Sequence, residues 1–214
     1  MHSLDRPRKF LAAALSALAG YIDAVGYLSA DRYFVSFMSG NTTRFGTDLV
    51  TEGNTAIIPA LLISGFVLGV ALGNVVAHRA GAWRKPAVLT LVTSLLVLGA
   101  ICALMQYVAA MMACLVLAMG ALNNTLRKGE TPVALTYLTG ALVRIGQGLG
   151  GMITRQRQDP AWPFIVLWFS LAAGAATGAA SFLSLGPLSL CIGAGFSAML
   201  TFAGYRIARA NLQP

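Results

Sequence analysis

Six stretches of this sequence, 10–29, 56–78, 86–106, 108–124, 162–183 and 187–207, run on with scarcely a charge in them. About 20 predominantly apolar residues is the length that crosses a bilayer as one helix. A soluble domain carries about 25% charged residues, whereas here 10% are charged and 57% hydrophobic. A surface built from so few charges cannot face water on all sides. Charges or turn-forming pairs separate the stretches, among them KP at 85–86, DP at 159–160 and GP at 186–187. The expected fold class is therefore all-α: a polytopic helical membrane protein of about six crossings.

The start of the chain, RPRKFLAAALSALA, has the look of a cleavable leader. It runs on without a break into GYIDAVGYL, so 10–29 is read as a retained first helix. The formal charge of +8 does not indicate nucleic-acid binding, because the basic residues fall in short clusters between apolar runs rather than along one stripe. Placing the N-terminus in the cytoplasm puts twelve of the fifteen basic residues on the cytoplasmic side, in clusters at 6–9, 79–85, 127–128, 155–157 and 206–209. That bias is the positive-inside pattern, and it leaves both termini cytoplasmic. The exceptions are Arg32, Arg44 and Arg144.

The last two belong to a repeat. Residues 36–46 read SFMSGNTTRFG, and 136–146 read TYLTGALVRIG. The repeat extends outward: AGYIDA around Asp23 meets MGALNN around Asn123, and Gly65, Gly69 and Gly73 match Ser170, Gly174 and Gly178. Residues 1–106 form the first repeat, with spans near 10–29, 56–78 and 86–106 and its motif in 31–50. Residues 107–214 form the second, with spans near 108–124, 162–183 and 187–207 and its motif in 131–152. Three crossings per unit is an odd number, so the second unit enters the membrane upside down, a 3+3 inverted repeat as in many secondary transporters. Small residues four apart on one helix face let backbones approach closely in lipid, which is a packing signal.

Asp23 is the most costly residue in any of the spans, since an acid near the centre of a membrane helix costs about 2.5–3.5 kcal/mol. It is either a titratable or cation-attracting site in a pathway, or half of a structural ion pair with Arg44 or Arg144. The motif segments, rich in Ser, Thr and Gly, suggest broken or re-entrant backbone, tolerated at membrane depth only where protein or a water-filled cavity shields it. Two such segments meeting near the midplane would place a site between the repeats, their half-helix N-termini offering N–H groups to an anion. The candidate pathway residues are Asp23, Ser36, Ser39, Gly40, Asn41, Arg44, Asn123, Thr136, Thr139, Gly140 and Arg144. The arginines fix that geometry, contact an anion or reach the headgroups.

Other chemistry is not assembled. Cys102, Cys114 and Cys191 lie in apolar runs without CxxC or Cys/His spacing, and His2 and His78 stand alone, so neither a metal site nor a disulfide framework is expected. GQGLGG at 146–151 fits GxGxxG by letter but lacks the preceding strand of a dinucleotide site. Asn41-Thr42-Thr43 is a formal glycosylation sequon, relevant only in a secretory lumen. No nucleophile–base set is present, so no enzyme and no cofactor are expected. The expected partners are the lipid bilayer, an unidentified small solute or ion, and a second copy in a homodimer. The rival reading is a non-transporting scaffold or accessory subunit.

AGYIDAVGYL, FVSFMSGNTTRFG and TYLTGALVRIG together resemble the YoaK-like family of bacterial inner-membrane proteins, catalogued as a domain of unknown function, over nearly the whole chain. The resemblance implies a small multi-pass protein of the bacterial inner membrane. It implies no reaction, ligand or site residue.

Overall fold

The computed structural model describes residues 6–51, 53–128, 131–132, 138–154 and 161–210. Five long apolar helices, a shorter apolar one and two amphipathic ones make up almost all of the described chain: α1 (Arg6–Ser29), α2 (Met38–Thr51), α3 (Ile57–Ala80), α4 (Arg84–Leu104), α5 (Val108–Leu122), α6 (Leu138–Thr154), α7 (Trp162–Leu185) and α8 (Ser189–Ala210). Among the described residues, the one departure from an all-helical reading is a minimal antiparallel ribbon, Arg127–Lys128 against Thr131–Pro132.

Three helical runs are long and apolar enough to cross a membrane: Lys9–Ser29, Ile57–Leu104 and Trp162–Ala210. The second and third, of 48 and 49 residues, are each long enough for two crossings. Each is interrupted by a short 3₁₀ turn beginning at a glycine in the left-handed region, Gly81 (φ 53°) and Gly186 (φ 56°). A side chain is strained at such a φ, so glycine sets where the run breaks. With the shorter apolar α5, six helices form the bundle: α1, α3, α4, α5, α7 and α8.

The core runs through the middle of α1, α4 and α5, where Leu11, Leu15, Leu18, Ile22, Leu89, Leu96, Leu115, Met119 and Leu122 are fully enclosed. The outward faces of α3 and α7 are also apolar, with Leu61, Val67, Leu68, Leu72, Phe169 and Leu183 exposed. Apolar side chains inside and outside alike are what a bundle in lipid requires.

Four helix pairs carry the packing, α1 on α7, α4 on α8, α5 on α3 and α4 on α5, and two of them, α1 on α7 and α5 on α3, cross at glycines. The contacts of the two crossings correspond residue by residue. Gly20 sits against the Leu171 backbone, and Gly120 against the Phe66 backbone. Gly174 and Gly178 meet Ala17 and Tyr21; Gly69 and Gly73 meet Leu117 and Ala121. A methyl group on any of these glycines would overlap the backbone of the facing helix, so the small-residue spacing is a backbone-to-backbone contact. Each α1-type helix therefore packs on an α3-type helix of the other half of the sequence.

Several polar and aromatic groups tie the helices together. Thr93 on α4 lies 2.7 Å from the Ser197 hydroxyl and 3.0 Å from that of Thr201 on α8. The Tyr21 hydroxyl donates to the Ser189 carbonyl at 2.9 Å, tying α1 to the start of α8. Trp83 and Tyr205 stack with centroids 5.3 Å apart where the α3–α4 turn meets the end of α8.

Candidate functional site

After α1 ends at Ser29, two consecutive non-glycine residues adopt positive φ, Asp31 (40°) and Arg32 (60°), and the chain turns back. Residues 33–37 then run without regular structure into α2. Their backbone N–H and C=O groups need partners where water is scarce. Asp23 supplies one set: Oδ1 accepts from the Val35 and Ser36 N–H groups, each at 2.8 Å. Asn41, on the first turn of α2 and fully buried, supplies another. Its Oδ1 accepts from Phe34 N–H at 3.1 Å and its Nδ2 donates to the Phe34 carbonyl at 2.7 Å. One side-chain amide thus brackets one residue, as a neighbouring strand would.

Around this clasp the aromatic residues close up. Phe34 packs on Tyr27 (centroids 4.9 Å) and on Phe37 (5.2 Å). Gly40 is where α2 passes these rings: a Cβ there would lie 2.7 Å from Phe37 and 2.8 Å from Phe34. Arg44 donates to the carbonyls of Asp31 (2.7 Å) and Arg32 (3.1 Å), and its guanidinium lies 3.8 Å over the Tyr33 ring. It therefore neutralises the carbonyl dipoles left by the two left-handed residues.

These contacts correct one expectation. Among the described residues no ion pair joins Asp23 to Arg44 or Arg144: the Asp23 carboxylate is taken up by backbone N–H groups and Arg44 by carbonyls. The reason is local, since the irregular segment lies between them and offers donors to one and acceptors to the other.

The structure thus brings Asp23, Ser36, Gly40, Asn41 and Arg44 together, with Ser36 buried, and leaves Ser39 exposed. In the second half Asn123 is buried and its Nδ2 donates to the Met119 carbonyl at 3.0 Å. Thr139 and Arg144 are exposed, and Gly140 is half-buried at the start of α6. Thr136 lies outside the described residues. Sequence reasoning passed over Tyr33 and Phe34, which form the floor of the clasp, although the run DRYFVSF ahead of the motif was a visible aromatic signal. It also passed over Asn124 and Thr125, beside Asn123. Asn124 Nδ2 donates to the Val70 carbonyl on α3 at 2.9 Å.

An all-helical bundle with apolar faces outside and glycine crossings inside is a polytopic helical membrane protein. The chain belongs to the family described as "Protein of unknown function (DUF1275)", whose profile matches residues 11–203. It is 41% identical over 204 residues to a UPF0700 transmembrane protein of Rhizobium meliloti (strain 1021), covering 93% of this chain and 87% of that one. No solved structure matches it.

Proposed function

We propose that this protein passes a small solute or ion across the bacterial inner membrane, as a transporter or channel built from two inverted halves, 1–106 and 107–214, with both termini cytoplasmic. The observation that carries the reading is the equivalence of the two glycine crossings, α1 on α7 and α5 on α3. Halves of three spans each, packed by the same contacts, are the arrangement in which one repeat rocks against the other around a midplane site. The path runs between the motif-bearing ends of the halves, with Ser39, Thr139, Gly140 and Arg144 as its accessible groups. Asp23, Ser36, Asn41 and Arg44 hold the first end in shape. At six spans, a homodimer is the working assembly.

One observation favours the rival reading of a non-transporting scaffold. Asp23, Asn41 and Arg44 all direct polar groups to backbone within their own half. The two readings separate in one sample. Ser39→Cys and Thr139→Cys, both at exposed positions, are made in a chain with Cys102, Cys114 and Cys191 replaced by alanine. An impermeant thiol reagent applied from each face should label Ser39→Cys from outside only and Thr139→Cys from inside only. Labelling of both from one face removes the inverted arrangement. Correct sidedness without solute flux from the purified protein in liposomes leaves the scaffold reading.

A further inference from the structure

Where α1 begins and α8 finishes, the surface of the bundle is concave. A groove of about 390 Å³ runs between the two helices. Leu11 and Leu200, both buried, form its floor, with Ala203 and Ile207 half-buried beside them. Phe10 and Phe202 flank it, 78% and 62% exposed. From Leu200 to Ile207 the groove follows α8 for ~10 Å. The one polar side chain in its lining is Arg206, exposed and four residues before the end of the apolar run Trp162–Ala210. On α1, Lys9 opens the apolar run Lys9–Ser29 directly before Phe10. The groove is thus apolar along its length and cationic at the end that meets the membrane surface.

Among the described residues, charge at this end has one sign. Lys9, Arg206 and Arg209 lie here, whereas the described acids, Asp23, Asp31 and Asp48, belong to the later part of α1 and to the segments after it. Arg206 makes no hydrogen bond or ion pair with any described residue. A guanidinium near the end of a span reaches toward the headgroup layer, and its planar fork takes a phosphate through two parallel hydrogen bonds. Basic pockets between membrane helices recognise anionic headgroups in this way.

We infer that the groove between α1 and α8 holds one anionic phospholipid, with an acyl chain over Leu11 and Leu200 between the two phenylalanines and its phosphate on Arg206. The charge pattern selects among lipids. A phosphatidylethanolamine head carries an ammonium that Lys9 and Arg209 repel, whereas an anionic head carries none. The same pattern disfavours a second copy of this chain, whose matching end would set three cations against three cations. The inference needs the membrane-spanning bundle but not the passage of a solute.

The test uses the full chain in detergent, mixed with equal amounts of phosphatidylglycerol and phosphatidylethanolamine. Native mass spectrometry then counts the lipids each chain retains. The parent should favour phosphatidylglycerol about tenfold, the factor for one hydrogen bond to a charged group. Arg206→Gln should remove most of that preference, and Arg206→Lys, which keeps the charge, should retain part of it. Ala203→Trp keeps every charge but fills the groove, so it should lower phosphatidylglycerol retention by a similar factor. Phe202→Ala, at an exposed position, replaces it should the tryptophan variant not fold, and should lower retention too. Added phosphatidylglycerol should raise the melting temperature of the parent more than that of Arg206→Gln, because a ligand of the folded state stabilises it. Equal retention of the two lipids by the parent overturns the inference. Undiminished phosphatidylglycerol retention in the groove variant also overturns it, leaving only diffuse attraction to a basic end. A dimer that the groove variant dissociates, with lipid retention unchanged, overturns it in favour of a second copy.

Discussion

The loop after α1 and the turn after α5 begin from equivalent positions and solve the same problem in different ways. In the first, a carboxylate, a buried amide and a guanidinium satisfy the backbone of residues 31–36 from within the same half. In the second, the helix stops early and three neutral polar side chains, Asn123, Asn124 and Thr125, are enclosed, the Thr125 hydroxyl without a partner among the described residues. The outward faces of the following helices differ too: α2 exposes Thr42 and Thr43 where α6 exposes Leu142 and Val143. The two glycine crossings, each joining one half to the other, correspond while these ends have diverged. A crossing is constrained by two backbones in contact, which leaves no room for a side chain. An end is constrained only to satisfy its polar groups, and several chemistries can do that.

Breaking the shared part should have the largest effect. Gly20→Ala and Gly120→Ala each drive a methyl group into a facing backbone carbonyl, for a loss of about 1–3 kcal/mol apiece. If the two crossings act independently, the double variant loses the sum. Thermal unfolding in detergent measures this, and a marked effect at only one glycine would mean that the crossings are not equivalent in energy. A smaller loss is expected from Asp23→Asn, which gives both halves an asparagine at this position. The two N–H groups would exchange a charged acceptor for a neutral one, a difference of about 1–2 kcal/mol. Hydrogen exchange at Val35 and Ser36 should quicken while that of the α5 amides stays unchanged. The smallest effect belongs to Arg44→Lys, which keeps the charge but loses the planar group over Tyr33. About 0.5–1 kcal/mol is expected for that contact, with sided labelling at Ser39→Cys unaltered.

Much of the architecture was legible because lipid leaves few options. Runs of apolar residues gave the six bundle helices, with ends shifted by at most three residues except for 10–29, whose helix begins at Arg6. The spacing of Gly69, Gly73, Gly174 and Gly178 identified close packing, but not that α1 would pair with α7 rather than with α3. Partner choice depends on which faces fit in three dimensions, and several helices here carry small-residue faces. At the candidate site, sequence reasoning identified Asp23, Asn41 and Arg44 as residues out of place in lipid. It misassigned the partners of Asp23 and Arg44 because opposite charges suggest each other on paper, whereas an irregular backbone offers many more donors and acceptors than side chains do. Thr125 gave no signal, since a threonine among apolar residues is unremarkable until its hydroxyl is seen enclosed.

The exchanged crossings also set an order of assembly. The α5 helix can close on α3 as soon as it enters the bilayer, because α3 is already made. The α1 helix, inserted first, has its glycine groove unmatched until α7 emerges in the last third of synthesis. Until then lipid must fill the groove, or another chain must cover it. A nascent chain stalled before α7 is therefore the form of this protein most open to pairing with the wrong neighbour, and the insertion machinery has most reason to hold on to its first helix.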